Sequence, residues 1–172
     1  SNFAIPAIDH QRRVKGLTTL ELLGSLDQYG DQVESPVKGV PRVLVVGGAG
    51  YIGSILVERM LEKSWKVKVL DNLIYGQTIP EKFSDKGNFS FVRGDICDKG
   101  LINNLLPQFD IVIPLAALVG APACTRNPSL AHLINYDAHM NIVEHTSSAQ
   151  MVLFPTTNSG YGIGDKDVHC TE

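Results

Sequence analysis

The sequence predicts an α/β fold in which helices cover both faces of a parallel sheet. Short runs rich in β-branched residues alternate with helix-like segments along the 172-residue chain, as expected for strands joined by helical crossovers. Apolar residues make up 44% of the chain and charged residues 19%, which is enough apolar material for one core. Two parts are predicted: an N-terminal extension with a short helix over residues 1–40, and the sheet domain over residues 41–172.

Five segments rich in apolar residues fit strands, and the first of them, residues 43–46, is a continuous apolar run, as expected for a strand buried on both faces. They lie at residues 43–46, 67–70, 89–92, 111–113 and 151–154. The helices between them imply right-handed crossovers, and therefore parallel strands. The segment from 73 to 88 is long for a connection and is predicted to be a partly ordered loop.

Helices are predicted between these strands and in the extension. The helix after the first strand places one apolar stripe at Ile52, Ile55, Leu56 and Met60. A short helix over 101–106 is closed by a proline at 107, and a long helix begins with the capping residue Asn127 and runs to about Ala149. In the extension, a capping-box pattern predicts a helix over 19–28 that packs on the domain or contacts another subunit.

Charge and composition exclude several classes of partner. A net charge of −3 argues against a nucleic-acid or anionic-membrane binder, and no apolar run approaches the ~20 residues of a membrane span. The first residues lack the layout of a secretory signal, so the chain is interpreted as cytoplasmic. The three cysteines show no CxxC pairing and the five histidines show no metal spacing, so no metal site is predicted and the histidines are assigned to surfaces or helix faces.

The strongest motif is the glycine turn that spans residues 47–53, Gly-Gly-Ala-Gly-Tyr-Ile-Gly. Such glycines allow a tight turn, let backbone N–H groups approach a pyrophosphate, and let the helix pack close to the strand. The amino terminus of that helix adds partial positive charge. A dinucleotide site is therefore predicted at Gly47, Gly50, Tyr51, Ile52 and Gly53.

Asp71 ends the second strand, 18 residues beyond Gly53. A carboxylate at this place can accept hydrogen bonds from both hydroxyls of an adenosine ribose and repels a 2′-phosphate. No arginine stands beside it in Asp71-Asn72-Leu73, so NAD is predicted in preference to NADP. The alternative is a carboxylate that only closes a turn at the end of the strand.

Two more segments follow strands at their carboxyl ends, where ligands bind in open α/β sheets. They span residues 94–96 and 114–120, and the candidate site residues within them are Asp95, Ile96, Leu115, Ala116 and Ala117. By themselves these segments would be interpreted as simple loop geometry. Together with the glycine turn they predict a Rossmann-type, doubly wound parallel sheet in three layers.

These residues, together with Asn135, resemble the extended short-chain dehydrogenase/reductases that act on nucleotide sugars, and among them the NAD-dependent epimerase/dehydratase family of the UDP-galactose 4-epimerase kind. The resemblance covers residues 42–172. It implies that Asp71 holds the adenosine ribose, that Asp95 and Ile96 flank the adenine, and that the backbone of residues 115–117 lines the pyrophosphate and nicotinamide ribose. It also implies a structural role for Asn135, bonding backbone near the active site.

The resemblance implies an active-site segment after the fifth strand. Thr157 matches the family's catalytic Ser/Thr, whose hydroxyl would bond the reacting sugar oxygen, and Thr156 is assigned to the cofactor site. Asn158 and Ser159 stand where the family's 4,6-dehydratases carry Asp and Glu. This difference favours an epimerase that works through a transient keto-sugar over a dehydratase or reductase.

The family's Tyr-x-x-x-Lys base is the main departure, because no tyrosine in the chain has lysine four residues later. We expect that pair, the remaining strands and the sugar-binding part beyond Glu172, so the predicted sheet is incomplete at its C-terminus. The alternative is a catalytically silent NAD(H)-binding module. The implied substrate is a nucleotide sugar, and the long helix is a candidate contact for a homodimer.

Overall fold

The computed structural model describes residues 5–8, 14–18, 39–78, 83 and 86–155. Strands β1 (Ile5–Ile8) and β2 (Val14–Thr18) pair antiparallel in a sheet of their own. The sequence did not predict this small sheet. The helix predicted over 19–28 lies outside the described residues, and the boundary at residue 40 stays a prediction.

The main sheet has five parallel strands in the order β5-β4-β3-β6-β7. They are β3 (Arg42–Val46), β4 (Lys66–Asp71), β5 (Phe89–Arg93), β6 (Ile111–Pro114) and β7 (Met151–Val152). The chain first builds outward from β3 to β5 and then returns to the other side of β3 with β6. The predicted Rossmann-type sheet is confirmed, and this reversal beside β3 is where such sheets bind ligands.

Helices cover both faces of the sheet, as the three-layer prediction requires. They are α1 (Tyr51–Glu62), α2 (Lys99–Leu105) with a 3₁₀ turn Leu106–Gln108, α3 (Ala121–Arg126), α4 (Pro128–His132), a π-helical turn Leu133–Asp137, and α5 (Ala138–His145). Within the described ranges, no helix is long and apolar enough to cross a membrane.

Alternate residues of β3 point to opposite faces and so divide the core into two layers. Val43 and Val45 pack with the inner face of α1, whereas Leu44 and Val46 pack with residues of α2 and α5. All four are at most 1% exposed. This burial on both faces explains why the sequence of β3 contains a continuous apolar run.

Two helix predictions need correction. The buried stripe of α1 consists of Gly53, Leu56, Val57, Met60 and Leu61, whereas Ile52 and Ile55 are 40% and 44% exposed. The helix α1 is rotated about its axis so that Gly53, which has no side chain, packs against the glycine turn.

The long helix begins at Asn127 as predicted, because its Oδ1 accepts a hydrogen bond from Leu130 N at 3.1 Å. It ends at His145 rather than near Ala149, because Thr146 is already extended.

Candidate dinucleotide site

The glycine turn packs closely against the β6 loop (residues 115–119) on one side and against α1 on the other. Gly47 has φ +84°, and a Cβ there would lie 2.5 Å from Ala116 N. At Gly53 a Cβ would lie 2.6 Å from the Cα of Gly48, so the helix packs directly on the turn. Glycine is therefore required at both positions, by backbone conformation at the first and by space at both.

The amino terminus of α1 is open to solvent. Gly50 precedes it without a side-chain cap, and the first turn carries no acidic residue. Tyr51 is 86% exposed. The first-turn N–H groups of a helix have no partner within the helix, so their partial positive charge is available to an anion such as a diphosphate.

Asp71 connects the end of β4 to the glycine turn. Its Oδ2 accepts a hydrogen bond from Ala49 N at 3.0 Å, and its Oδ1 accepts one from Leu73 N at 2.8 Å. The turn-closing role considered from the sequence is thus present. An ionised carboxylate has about four acceptor positions, so these two bonds leave room for a ribose diol.

Asp95 lies beside Asp71 at the end of β5 and is held by its neighbours. Its Oδ2 accepts from Asn72 Nδ2 at 3.1 Å, and its Oδ1 accepts from Cys97 N at 2.8 Å. Partial burial acts to raise the pKa of Asp95, but these hydrogen bonds outweigh it and hold the pKa below its usual value. The carboxylate is therefore ionised at neutral pH.

Cys97 is not a nucleophile at neutral pH. Burial, the hydrogen bond with Asp95 and the negative charge of Asp95 raise the pKa of the thiol to about 11. The thiolate is the reactive form of cysteine. The raised pKa therefore keeps the Cys97 thiol protonated at neutral pH.

The side chain of Asn135 holds the β6 loop in place through two hydrogen bonds to its backbone. Its Oδ1 accepts from Leu118 N at 2.8 Å, and its Nδ2 donates to Leu118 O at 2.9 Å. The predicted structural role of Asn135 is confirmed. It lies in the π-helical turn, an irregularity that is frequent at functional sites.

His139 lies on the buried face of α5, one of the two kinds of place to which the sequence analysis assigned the histidines. It is only 8% exposed and its Nε2 donates to Ala116 O at 2.9 Å. The ring meets Phe154 edge to face at 5.1 Å, and its Nδ1 has no hydrogen-bond partner in the part of the chain that the structure describes. Burial lowers the pKa of His139 from the usual 6.5, although its bond with Ala116 opposes this. The side chain is neutral at pH 7.

These elements enclose a cleft of about 560 Å³, a volume typical of small-molecule and cofactor sites. The cleft brings together most of the residues predicted from the sequence: Gly47, Gly50, Tyr51, Ile52, Gly53, Asp71, Asn72, Asp95, Ile96, Leu115, Ala116 and Ala117. Leu73 does not line it, and only supports Asp71 through its amide. Thr156 and Thr157 lie outside the described residues.

Several residues of the cleft were missed by the sequence analysis. The loop after β4 (residues 72–77, the β4 loop) contributes Ile74, Tyr75 and Gln77 to the cleft. Val119 and Pro155 also line it. None of these has a recognisable motif. Gly48 was also passed over, although a Cβ there would lie 2.8 Å from Val69 Cγ2.

The cleft is acidic where strands β4 and β5 end. Asp71 and Asp95 both line it, and no lysine or arginine is among the described residues that do. Nor do any three His, Cys, Asp or Glu side chains come together as a metal site within the described ranges. The residues therefore fit a dinucleotide that carries a free ribose diol.

The strand order, glycine turn and cleft together define a Rossmann-type domain. The chain belongs to the NAD dependent epimerase/dehydratase family, whose sequence profile matches residues 43–171. Members of this family are NAD-dependent epimerases and dehydratases.

Individual relatives catalyse different reactions. The chain is 33% identical over 137 residues to UDP-arabinose 4-epimerase 1 of Arabidopsis thaliana, which covers 74% of this chain and 32% of that protein. It is 31% identical over 126 residues to UDP-N-acetyl-alpha-D-glucosaminuronate decarboxylase of Bacillus cytotoxicus, covering 72% and 38%.

Among solved structures, UDP-glucose 4-epimerase of Thermus thermophilus, in complex with NAD, superposes with a TM-score of 0.53 and 33% identity over 60% of this chain and 33% of that one. The chain thus spans about a third of the length of these relatives.

Proposed function

We propose that this chain is the NAD-binding part of a nucleotide-sugar epimerase. The observation that carries the proposal is the pairing of Asp71 with the open glycine turn at one cleft. Asp71 keeps acceptor capacity beyond its bonds to Ala49 and Leu73, and α1 presents an uncapped amino terminus beside it. A dinucleotide supplies the two groups that these features recognise, a ribose diol and a diphosphate.

Each part of NAD is assigned to a region of the cleft by the chemistry of the residues that line that region. The diphosphate would lie over residues 47–53, with the adenosine ribose on Asp71 and the adenine beside Asp95 and Ile96. The nicotinamide ribose would lie along the β6 loop toward Thr156. When bound, NAD supplies reversible hydride acceptance. The residues of this chain bind and orient it.

Preference for NAD over NADP follows from charge. Asp71 and Asp95 are close to the predicted 2′-hydroxyl, and the described lining offers no cation for a 2′-phosphate. Like charges in a partly buried cleft repel more strongly than in water. NADP binding is therefore expected to be much weaker.

The reaction proposed is oxidation of a ring hydroxyl to a transient keto-sugar, followed by return of hydride to its opposite face. Thr157 would hydrogen-bond the sugar oxygen as its proton leaves and returns. Asn158 and Ser159 cannot act as the carboxylic acid and base of water elimination. A sugar-nucleotide decarboxylase is the competing assignment, because a relative of that class is nearly as similar.

The experiment uses the complete protein with NAD and either UDP-arabinose or UDP-glucose in deuterated water. Mass spectrometry of the product separates the reactions. Epimerisation through hydride transfer leaves the mass unchanged and incorporates no solvent deuterium at carbon. Loss of water or of carbon dioxide would contradict the epimerase assignment, and NAD binding without turnover would favour the silent module.

A homodimer is the proposed assembly. The helical segment from α4 to α5 exposes three large apolar side chains, Leu133 (42%), Tyr136 (55%) and Met140 (37%), and exposed apolar clusters often mark interfaces. We expect light scattering to give the mass of a dimer for the complete protein. Met140→Glu should produce monomers, and a dimer unaffected by that substitution would contradict the assignment of this face as the contact.

A further inference from the structure

Tyr75 spans the mouth of the cleft. It starts from the β4 loop, and its hydroxyl donates to Ala117 O at 3.3 Å and accepts from Val119 N at 3.4 Å. Its partners are 42 and 44 residues away in sequence, on the opposite side of the cleft. The ring lines the cleft yet is 54% exposed, so it lies at the rim with solvent on its outer side.

The β4 loop is organised so that Tyr75 points across the cleft. Asp71 Oδ1 accepts from Leu73 N at 2.8 Å, and Asn72 Oδ1 accepts from Ile74 N at 3.0 Å. Such side-chain bonds to amides two residues later fix a loop locally. The same side chains, Asp71 and Asn72, face the predicted adenosine site and Asp95. The conformation of the β4 loop therefore depends on the same side chains, Asp71 and Asn72, that line the predicted adenosine site.

Two features also make the Tyr75 bridge easy to open. Leu73 at φ +58° and Gly76 at φ +71° flank it in left-handed conformations, which leucine adopts with strain and glycine adopts freely. The two hydroxyl contacts, at 3.3 and 3.4 Å, are longer than optimal hydrogen bonds. A small rotation at these two positions would release the ring from the β6 loop.

We propose that Tyr75 is a latch over the adenosine half of the cleft, which joins the β4 loop to the β6 loop and must release for the dinucleotide to enter or leave. The proposal rests on the proposed function, because it takes NAD as the occupant. With the pyrophosphate on the glycine turn and the ribose on Asp71, the adenosine must pass between these two loops. A latch that is closed in both the free and the bound protein slows entry and exit together.

Tyr75→Phe removes both hydroxyl contacts and keeps the ring. We expect the association and dissociation rate constants for NADH, followed by stopped-flow fluorescence of the complete protein, each to rise about fivefold while the Kd changes by less than about twofold. The control is Thr146→Val, which also removes one hydroxyl hydrogen bond, from Thr146 Oγ1 to Val143 O at 3.0 Å, but outside the cleft. This control should give wild-type rates.

Gly76→Ala tests the latch through the backbone. No atom lies within 4 Å of a Cβ at Gly76, so the only effect there is strain at φ +71°. We expect this strain to favour the open loop and to raise both rate constants as well. Gly87→Ala is the matched control, because a Cβ at Gly87 also meets nothing within 4 Å and no positive φ is involved.

Hydrogen exchange tests the closed latch without any ligand. The amide of Val119 donates to the Tyr75 hydroxyl, so its exchange should be faster in Tyr75→Phe than in the wild type. Equal exchange, unchanged rate constants, or a raised Kd with no gain in association rate would each overturn the latch. If wild-type protein binds no NADH, the proposed function fails by itself, and the Val119 amide still decides whether the bridge exists.

Discussion

The two edges of the main sheet use polar groups in opposite ways. At the amino edge, Arg42 and Asp110 bind each other: Arg42 Nη2 donates to Oδ1 at 2.6 Å, and its Nε and backbone N donate to Oδ2 at 3.0 and 2.9 Å. Gln150 Nε2 donates to Leu106 O and Phe109 O at 2.6 and 2.7 Å. These bonds join strands and loops to each other.

At the carboxyl edge, polar groups are held in place but keep unused capacity. Asp71 accepts from two backbone amides and faces a cleft with its remaining lone pairs. The α1 terminus carries no cap. The two edges therefore have different tasks: at the amino edge polar side chains bind other parts of the fold and stabilise it, whereas at the carboxyl edge polar groups with unused acceptors and donors line the cleft.

The largest effect is expected at Gly47, where the carboxyl edge is most crowded. Gly47→Ala should lower the free energy of unfolding by about 3 kcal/mol or more and abolish NAD binding, because the new Cβ meets Ala116 at a positive φ. Gly39→Ala is the control, since Gly39 has φ +88° with nothing within 4 Å. Denaturant unfolding of both variants separates the cost of the close contact from the cost of the positive φ. Equal losses in the free energy of unfolding would contradict a role for the close contact.

Asp71→Asn should weaken NAD binding by about tenfold to a hundredfold, because a neutral amide replaces the anionic acceptor of the ribose diol. Isothermal calorimetry measures the change. A smaller loss of stability should accompany it, as the amides of Ala49 and Leu73 lose a charged acceptor. Unchanged NAD affinity would leave Asp71 with only its turn-closing role.

Asp110→Asn provides the reverse test at the amino edge. The hydrogen bond from Arg42 holds the pKa of Asp110 below its usual value, so the pair stabilises the fold above that usual value and loses this effect as the pH falls. We expect Asp110→Asn to lower the Tm by a few degrees at pH 7 and to leave the Kd for NAD unchanged. A change in NAD affinity would show that the two edges are not independent.

The smallest effect concerns His139 beneath the β6 loop. Its pKa is lowered by burial, so the unfolded chain binds this proton more readily and stability falls as the pH drops below about 6.5. The slope for one proton is at most about 1.4 kcal/mol per pH unit. Chemical denaturation between pH 7 and pH 5 should show this slope reduced in His139→Asn, and an identical slope in both proteins would contradict it.

The sheet was predictable because each strand is a short segment rich in apolar residues and because helix-like segments separate the strands. The glycine turn and Asp71 were predictable because their roles depend on neighbours in sequence. Tyr75 was not, since its partners lie more than forty residues away across the cleft. The burial of His139 was not predictable, because it depends on how the helix that follows the π-helical turn packs against the β6 loop. The exposed Ile52 and Ile55 show the same limit, because side-chain spacing does not fix the rotation of α1.

The measurement that tests the central claim most directly is a calorimetric titration of the complete protein with NAD and, separately, with NADP. We predict saturable binding of NAD at one site per chain and at least about tenfold weaker binding of NADP, because Asp71 accepts a ribose diol and repels a 2′-phosphate. No binding of NAD, or equal affinity for the two, would contradict the assignment of this cleft.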